Sequence, residues 1–238
     1  MRTAGWRSFA VYGFAIALCQ PLVGCGSAEA PSGSTNDKEA ITKAATAVPD
    51  DAPLVIAFGD SLYAGYQLGP KEGLAPQLQS ALLADGVAAR VQNAGVSGDT
   101  TAAGRQRLAY VLDNARTKPA LVLLGLGGND MLRGIGPDQT RANLDAMLAE
   151  LKGRDIPVLL TGMMAAPNLG SDYAGKFNPI YPDLAGKYGV SFYPFLLDDV
   201  ITDKSLMLGD NLHPNAKGVT VVAEALAPLV EEALPDRG

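Results

Sequence analysis

The 238-residue chain predicts an α/β domain: a three-layer α/β/α sandwich around a five-stranded parallel sheet in flavodoxin-like order. Three features carry the prediction. Short uninterrupted apolar runs recur, stretches with helical apolar spacing or enough length for a crossover helix separate them, and the two kinds of segment alternate from residue 53 onward. A short apolar run closed by a turn residue reads as a strand covered on both faces. Strands alternating with helices imply right-handed crossovers, and these produce a parallel sheet with helices on each side.

The first element in chain order is a leader rather than part of the fold. Arg2 and Arg7 precede an apolar run over residues 9–18, too short to span a bilayer comfortably and matching a secretory signal. It ends at Leu22-Val23-Gly24-Cys25, which resembles the lipobox of bacterial lipoproteins, where cleavage falls before the cysteine and its sulfur is acylated. Residues 1–24 are then the signal peptide and Cys25 the lipidated first residue of the mature chain. The alternative is an ordinary secretory signal. Either way Cys19 departs, so one cysteine remains and no intramolecular disulfide can form. Residues 25–51, rich in Ala, Ser, Gly, Thr and Pro, read as a flexible spacer, with a helical turn conceivable at 40–47. Two or more acyl chains give durable membrane attachment. Gly26 after the cysteine, rather than Asp, resembles outer-membrane sorting, so the expected location is the outer membrane, facing the periplasm.

The folded domain is expected over residues 52–238. Its strands are read at 54–58, closed by Gly59, and at 89–92, 120–124, 157–160 and 190–194. Between them, Leu74, Leu78, Ala81 and Leu82 share one helical face, as do Leu144, Met147, Leu148 and Leu151. Val219, Val222, Leu226, Leu229 and Val230 give a C-terminal helix the same stripe. In such sheets ligands sit at the carboxyl ends of the strands, so chemistry is sought just after each apolar run.

Composition removes several function classes first. Lys and Arg number 19 against 25 Asp and Glu, so no basic surface is available to neutralise a phosphate backbone, and nucleic acid is not an expected partner. One histidine and two cysteines cannot supply a zinc site, and neither a metal nor an organic cofactor is expected. The G-x-S-x-G elbow and the P-loop are absent, and Gly125-Leu126-Gly127-Gly128 lacks the third glycine of a dinucleotide loop, since position 130 is Asp.

The strand-end loops are informative. Gly59-Asp60-Ser61-Leu62 follows the first strand, Asn93-Ala94-Gly95-Val96-Ser97-Gly98-Asp99-Thr100 the second, and Gly125-Leu126-Gly127-Gly128-Asn129-Asp130 the third. Gly209-Asp210-Asn211-Leu212-His213-Pro214 leads into the last helix. A serine hydroxyl is a weak nucleophile that needs a base, and His213 is the one imidazole in the chain. That imidazole needs an orienting acceptor, and Asp210, three residues earlier, can reach Nδ1 across a turn. Pro214 is read as fixing the first helical position. Acyl transfer also needs donors for a developing oxyanion: the Ser61 N–H, the Gly98 N–H and the Asn129 side-chain amide all follow strand ends. Each has a plainer reading, Gly98 as a turn glycine and Asn129 as a helix cap.

Taken together, the four segments resemble the SGNH hydrolase superfamily, the GDSL esterases and lipases, from Pro53 to about Leu234. Their wording is similar to the bacterial thioesterase I, lysophospholipase and arylesterase subgroup. The resemblance implies Ser61 as nucleophile, His213 as general base and then acid, Asp210 as its orienter, and Ser61 N–H, Gly98 N–H and Asn129 as the oxyanion hole. The implied activity is hydrolysis of ester, thioester or lysophospholipid substrates through an acyl-serine intermediate, with a monomer favoured. Tyr63 stands where subgroup members often carry Ser, and the Met163-Met164-Ala165-Ala166-Pro167-Asn168 loop also departs from the usual wording. Tyr63, Met131, Leu132, Met163 and Met164 are therefore the candidate substrate-groove residues. Two other readings use the same residues: a carbohydrate O-acetyl esterase of the cell envelope, and a tethered binding lipoprotein without activity.

Overall fold

The computed structural model describes residues 48–235; the signal segment, Cys25 and residues 40–47 lie outside the described residues. Strands β1 (Leu54–Gly59), β2 (Arg90–Gly95), β3 (Leu121–Gly125), β4 (Val158–Thr161) and β5 (Ser191–Tyr193) pair in the order β2-β1-β3-β4-β5. Every pairing is parallel. This is the flavodoxin-like order, with its reversal between β1 and β3.

Strand side chains alternate between two apolar layers, as the period of two dictates. Leu54, Ile56, Phe58, Val122 and Leu124 face one way, against α3 (Thr101–Asp113), α5 (Pro137–Gly153), α6 (Gly170–Phe177) and α7 (Ile180–Tyr188). Val55, Ala57, Leu121 and Leu123 face the other, against α2 (Leu74–Ala84) and α8 (Ala216–Ala233). The three amphipathic stretches read from the sequence are α2, α5 and α8. Helix α3 has little apolar character and is started by Thr100, whose hydroxyl accepts from the Ala103 N–H at 3.3 Å.

Two strand readings are corrected. β2 and β5 are the sheet's edges and are partly exposed, not covered on both faces. β2 also runs on to Gly95, through the exposed Gln92 and Asn93, because an edge strand can carry polar residues while pairing on one side. The N–H of Val91, on this edge strand, is satisfied by Gln79 Oε1 at 2.9 Å.

The carboxyl ends of the three strands nearest the reversal form a lateral row of glycines: Gly59 aligns with Gly95 on one side and Gly125 on the other. Tyr63, in the short helix α1 (Ser61–Ala64), lies across that row. A Cβ on Gly59 or Gly125 would strike the Tyr63 ring, and one on Gly95 would strike the backbone of Tyr63 and Ala64. The ring is 1% exposed, and its hydroxyl hydrogen-bonds Thr161 Oγ1 at 2.7 Å. Tyr63 is thus a core residue, which corrects its placement in a substrate groove. The sharp reversal after Gly59 turns its side chain down into the space the glycines leave.

Close approach without spare volume makes this seam sensitive. Gly125→Ala is expected to destabilise the protein by about 1–3 kcal/mol, through overpacking against Tyr63 and Thr161. Gly186→Ala, at an exposed position of α7 where an added Cβ meets open space, is expected to stabilise by roughly 0.5–1 kcal/mol. Thermal unfolding of both variants checks the pair, and equal effects would contradict the seam.

Candidate active site

Ser61 opens α1 directly after β1, with its turn held at both ends. Asp60 caps it, accepting from the Leu62 N–H through Oδ1 at 3.1 Å, and Gly65 closes it in the left-handed region at φ 79°. As the first helical residue, Ser61 has no intrahelical acceptor for its N–H.

His213 arrives from the other end of the chain on a turn stitched by backbone bonds. Leu208 N–H donates to the His213 carbonyl at 2.7 Å, Asn215 N–H to the Leu206 carbonyl at 2.8 Å, and Met207 bridges Pro214. Asn215, not Pro214, caps α8, with Oδ1 accepting from the Lys217 and Gly218 N–H groups. Pro214 therefore lies outside the helix. This corrects its reading as the first helical residue, since the side-chain cap at Asn215 sets the start.

The turn brings the three expected side chains into one chain of contacts. Asp210 Oδ1 accepts from the Leu212 and His213 N–H groups at 2.9 and 3.0 Å, and Oδ2 lies 2.7 Å from His213 Nδ1. His213 Nε2 lies 2.8 Å from Ser61 Oγ. The His213 backbone N–H is the leading cause that holds the Asp210 carboxyl down to about 2, so it is ionised and acceptor-only. Nδ1 must then carry the proton, which leaves the Nε2 lone pair facing the serine hydroxyl. The Tyr66 ring lies against the imidazole, 4.5 Å between centroids.

Gly98 and Asn129 occupy the loops after β2 and β3, the neighbours of β1. Gly98 takes φ 86°, a conformation that favours glycine. Asn129 sits inside helix α4 (Gly128–Leu132), whose cap position is Gly127, so it is not a helix cap. Its Nδ2 reaches Asp60 Oδ2 at 3.4 Å. Asp60 thus touches both the serine-bearing turn and the asparagine amide. Burial pushes its carboxyl up to about 6, against the lowering effects of the Leu62 N–H and the His213 charge.

Arg107, which the sequence does not single out, secures the strand ends beneath the site. It donates to Asp99 Oδ2 at 2.6 Å, the Ala94 carbonyl at 2.8 Å and the Gly59 carbonyl at 2.9 Å, with its guanidinium 3.9 Å above the Phe58 ring. No residue spacing flags this role, because Arg107 lies two turns into α3. Asp60 does stand inside the Gly59-Asp60-Ser61-Leu62 segment and Tyr66 four residues beyond it, and only the fold shows what they touch.

The four methionine and leucine groove candidates divide. Met131 is 7% exposed, and its sulfur accepts from the Ala166 N–H. It is core, a correction explained by α4 turning that side chain inward. Leu132 and Met164 are exposed, and Met163 is half-buried against the core. Tyr66, Val96 and Leu212 are further exposed apolar side chains on the strand-end loops or beside His213.

Fold and site together define an α/β serine hydrolase with its histidine and aspartate on one C-terminal turn. The chain belongs to the GDSL-like lipase/acylhydrolase family, whose model matches residues 57–221, and it is a carboxylic ester hydrolase. It is 39% identical over 173 residues to an arylesterase of Vibrio mimicus, covering 73% of this chain and 86% of that protein. Against the thioesterase 1/protease 1/lysophospholipase L1 of Escherichia coli strain K12 it is 35% identical over 178 residues, covering 74% and 82%. The crystal structure of AlinE4, an SGNH-hydrolase family esterase, superposes with a TM-score of 0.67 at 47% identity, over 79% of this chain and all of that one.

The raised Asp60 carboxyl has a thermodynamic consequence. The folded state keeps this proton up to about pH 6, whereas the unfolded chain releases it near the ordinary value of 3.8. The associated stability is present below about pH 4 and is lost as pH rises through 6. Asp60→Asn should therefore gain in Tm relative to the parent as pH goes from 4 to 7. A difference in Tm that is flat with pH would show that the carboxyl ionises at its ordinary value.

Proposed function

We propose that the protein hydrolyses carboxylic esters and thioesters with apolar acyl or aryl groups, through an acyl-Ser61 intermediate. The observation that carries this reading is the continuous Asp210–His213–Ser61 contact chain at 2.7 and 2.8 Å. His213 Nε2 accepts the hydroxyl proton as Oγ attacks the carbonyl carbon, and the same proton then goes to the leaving group. Water attacks the acyl carbon in the second half, with His213 again the base. Ionised Asp210 stabilises the imidazolium at each stage. The carbonyl oxygen, negative in the tetrahedral intermediate, is received by the Ser61 N–H, the Gly98 N–H and the Asn129 amide.

Exposed Tyr66, Val96, Leu132, Met164 and Leu212 support an apolar rather than a carbohydrate substrate. The names of the relatives, an arylesterase and a thioesterase/lysophospholipase, lean the same way. A series of nitrophenyl esters tests the reading. Butyryl and longer chains should be turned over, and Ser61→Ala should lose several orders of magnitude while Asn129→Ala loses roughly 100- to 1,000-fold in kcat with little change in KM. A sharp preference for acetyl would favour a carbohydrate esterase, and activity that survives Ser61→Ala would remove the mechanism.

The sequence further supports export and a lipid anchor on Cys25, holding the domain at the outer membrane on its periplasmic side. Cys25→Ser should move the protein from the membrane to the soluble fraction of the producing cell and abolish incorporation of a labelled fatty acid. Unchanged membrane association would favour another mode of attachment.

A further inference from the structure

Asp130 is a carboxylate to which the proposed chemistry gives no part. It is fully buried, and among the described residues no Lys, Arg or His lies within ion-pair distance of it. Leaving a charge in the interior without a cation is costly unless hydrogen bonds satisfy its lone pairs. Here donors converge on it: the Thr101 N–H at 2.8 Å, the Thr101 hydroxyl, and the Thr140 hydroxyl at 3.2 Å. Thr101 is the first residue of α3, so the positive end of that helix also faces the carboxylate. Asn143 Nδ2 completes the network by donating to the Thr101 hydroxyl at 3.2 Å.

What this network joins gives it meaning. Asp130 directly follows Asn129, and Thr101 stands three residues after Gly98. Arg133, just past α4, donates from its backbone N–H to the Asn129 carbonyl at 3.1 Å and from its side chain to the Gly98 carbonyl at 2.7 Å. A closed circuit results, from Gly98 along the chain to Thr101, across to Asp130, along α4 to Arg133, and across again to Gly98. The circuit is needed because β2 and β3 do not touch. β1 separates them, so the loops carrying Gly98 and Asn129 have no shared ladder to fix their distance. Arg107 cannot serve, since it grips Asp99 from within α3 and its hydrogen bonds among the described residues go to Asp99, Ala94 and Gly59, not to α4. A carboxylate suits the position better than an amide, because every donor reaching it requires an acceptor.

We infer that Asp130 and Arg133 are positioning residues that set the spacing between the Gly98 N–H and the Asn129 amide, one through Thr101 and the other through the Gly98 carbonyl. The inference rests on the reading of those two groups as oxyanion donors, and a kinetic cycle separates the two. kcat and KM are measured on a nitrophenyl ester for Asn129→Ala, Asp130→Asn and Arg133→Ala, and for the latter two combined with Asn129→Ala. Asp130→Asn is expected to lower kcat by about 10- to 100-fold with KM within about threefold, a fraction of what losing a whole donor costs. Exposed Arg133→Ala is expected to lower kcat by roughly three- to tenfold with unchanged Tm. In the Asn129→Ala background each further loss should shrink to less than about threefold, because the amide being positioned is gone.

Equal losses in both backgrounds, or normal kcat in both single variants, would overturn the inference and leave Asp130 a structural group. Normal kcat in Asn129→Ala would instead overturn the oxyanion reading on which it rests. Should Asp130→Asn fail to fold, Thr101→Val, which deletes one donor at nearly constant shape, and Arg133→Ala carry the same comparison.

Discussion

Three side chains that are not there govern this site. Gly59, Gly95 and Gly125 stand abreast at the ends of β1, β2 and β3, and the gap above them takes the Tyr63 ring. Burial of so large a side chain is worth about 1.5–3 kcal/mol, and it can be realised only if the chain turns back over the strand ends immediately after Gly59. That reversal raises Ser61 onto the carboxyl edge of the sheet at the point where strand order reverses, the place where doubly wound sheets leave a crevice. The position of Ser61 is therefore a packing outcome. Arg107 adds the electrostatic counterpart by binding the Gly59 and Ala94 carbonyls at the ends of β1 and β2.

The aspartates around the site are stabilised in different ways, and the differences match what each position needs. Asp210 is held ionised by backbone N–H groups and the imidazole, with its carboxyl down to about 2, so it stays an acceptor through the acid range in which histidines gain charge. Asp99 has a cation, Arg107. Asp60 has the Leu62 N–H as a backbone donor but no ion-pair partner among the described residues, and it answers burial by holding its proton up to about 6. A negative charge beside the Asn129 amide would oppose an oxyanion forming there, and the higher ionisation range of Asp60 softens that opposition at the acid end.

Much of this was legible in the sequence where chemistry restricts the choice of residue. A chain with one histidine has one imidazole base; alone, an Asp three residues earlier reads as a loop carboxylate, and it is the four segments together that point to a site. The parallel sheet was legible because β1, β3 and β4 are unbroken apolar segments. The direction in which individual side chains point was not. Tyr63 follows the serine by two residues and looks like a groove residue until the glycine row is seen, which requires the register of three strands. Met131 and Leu132 are adjacent in a five-residue helix, too short for any periodicity to say which is core and which is exposed. β2 reads only partly as a strand because an edge strand needs one covered face. Arg107 acts on carbonyls of residues 13 and 48 positions away, and backbone acceptors leave no mark in a sequence.

The proposed nucleophile and base are supported by separate parts of the molecule. Ser61 is fixed by the sheet end, whereas His213 is fixed by the turn before α8, through the Leu208–His213 backbone bond and the Asn215 side chain, whose Nδ2 also donates to the Ser205 and Met207 carbonyls. The two supports are registered by α2 and α8, which pack side by side over the same sheet face through Leu74, Leu78, Val219, Val222 and Leu226, with Thr220 hydrogen-bonded to Gln77 at 3.2 Å. Helix α2 follows the serine turn, and α8 follows the histidine turn. Their apolar contact thus ties together the two supports that carry the 2.8 Å Ser61–His213 contact. Close-packed interiors transmit small displacements rather than absorb them, so the Ser61–His213 geometry depends on buried Leu and Val side chains of the core.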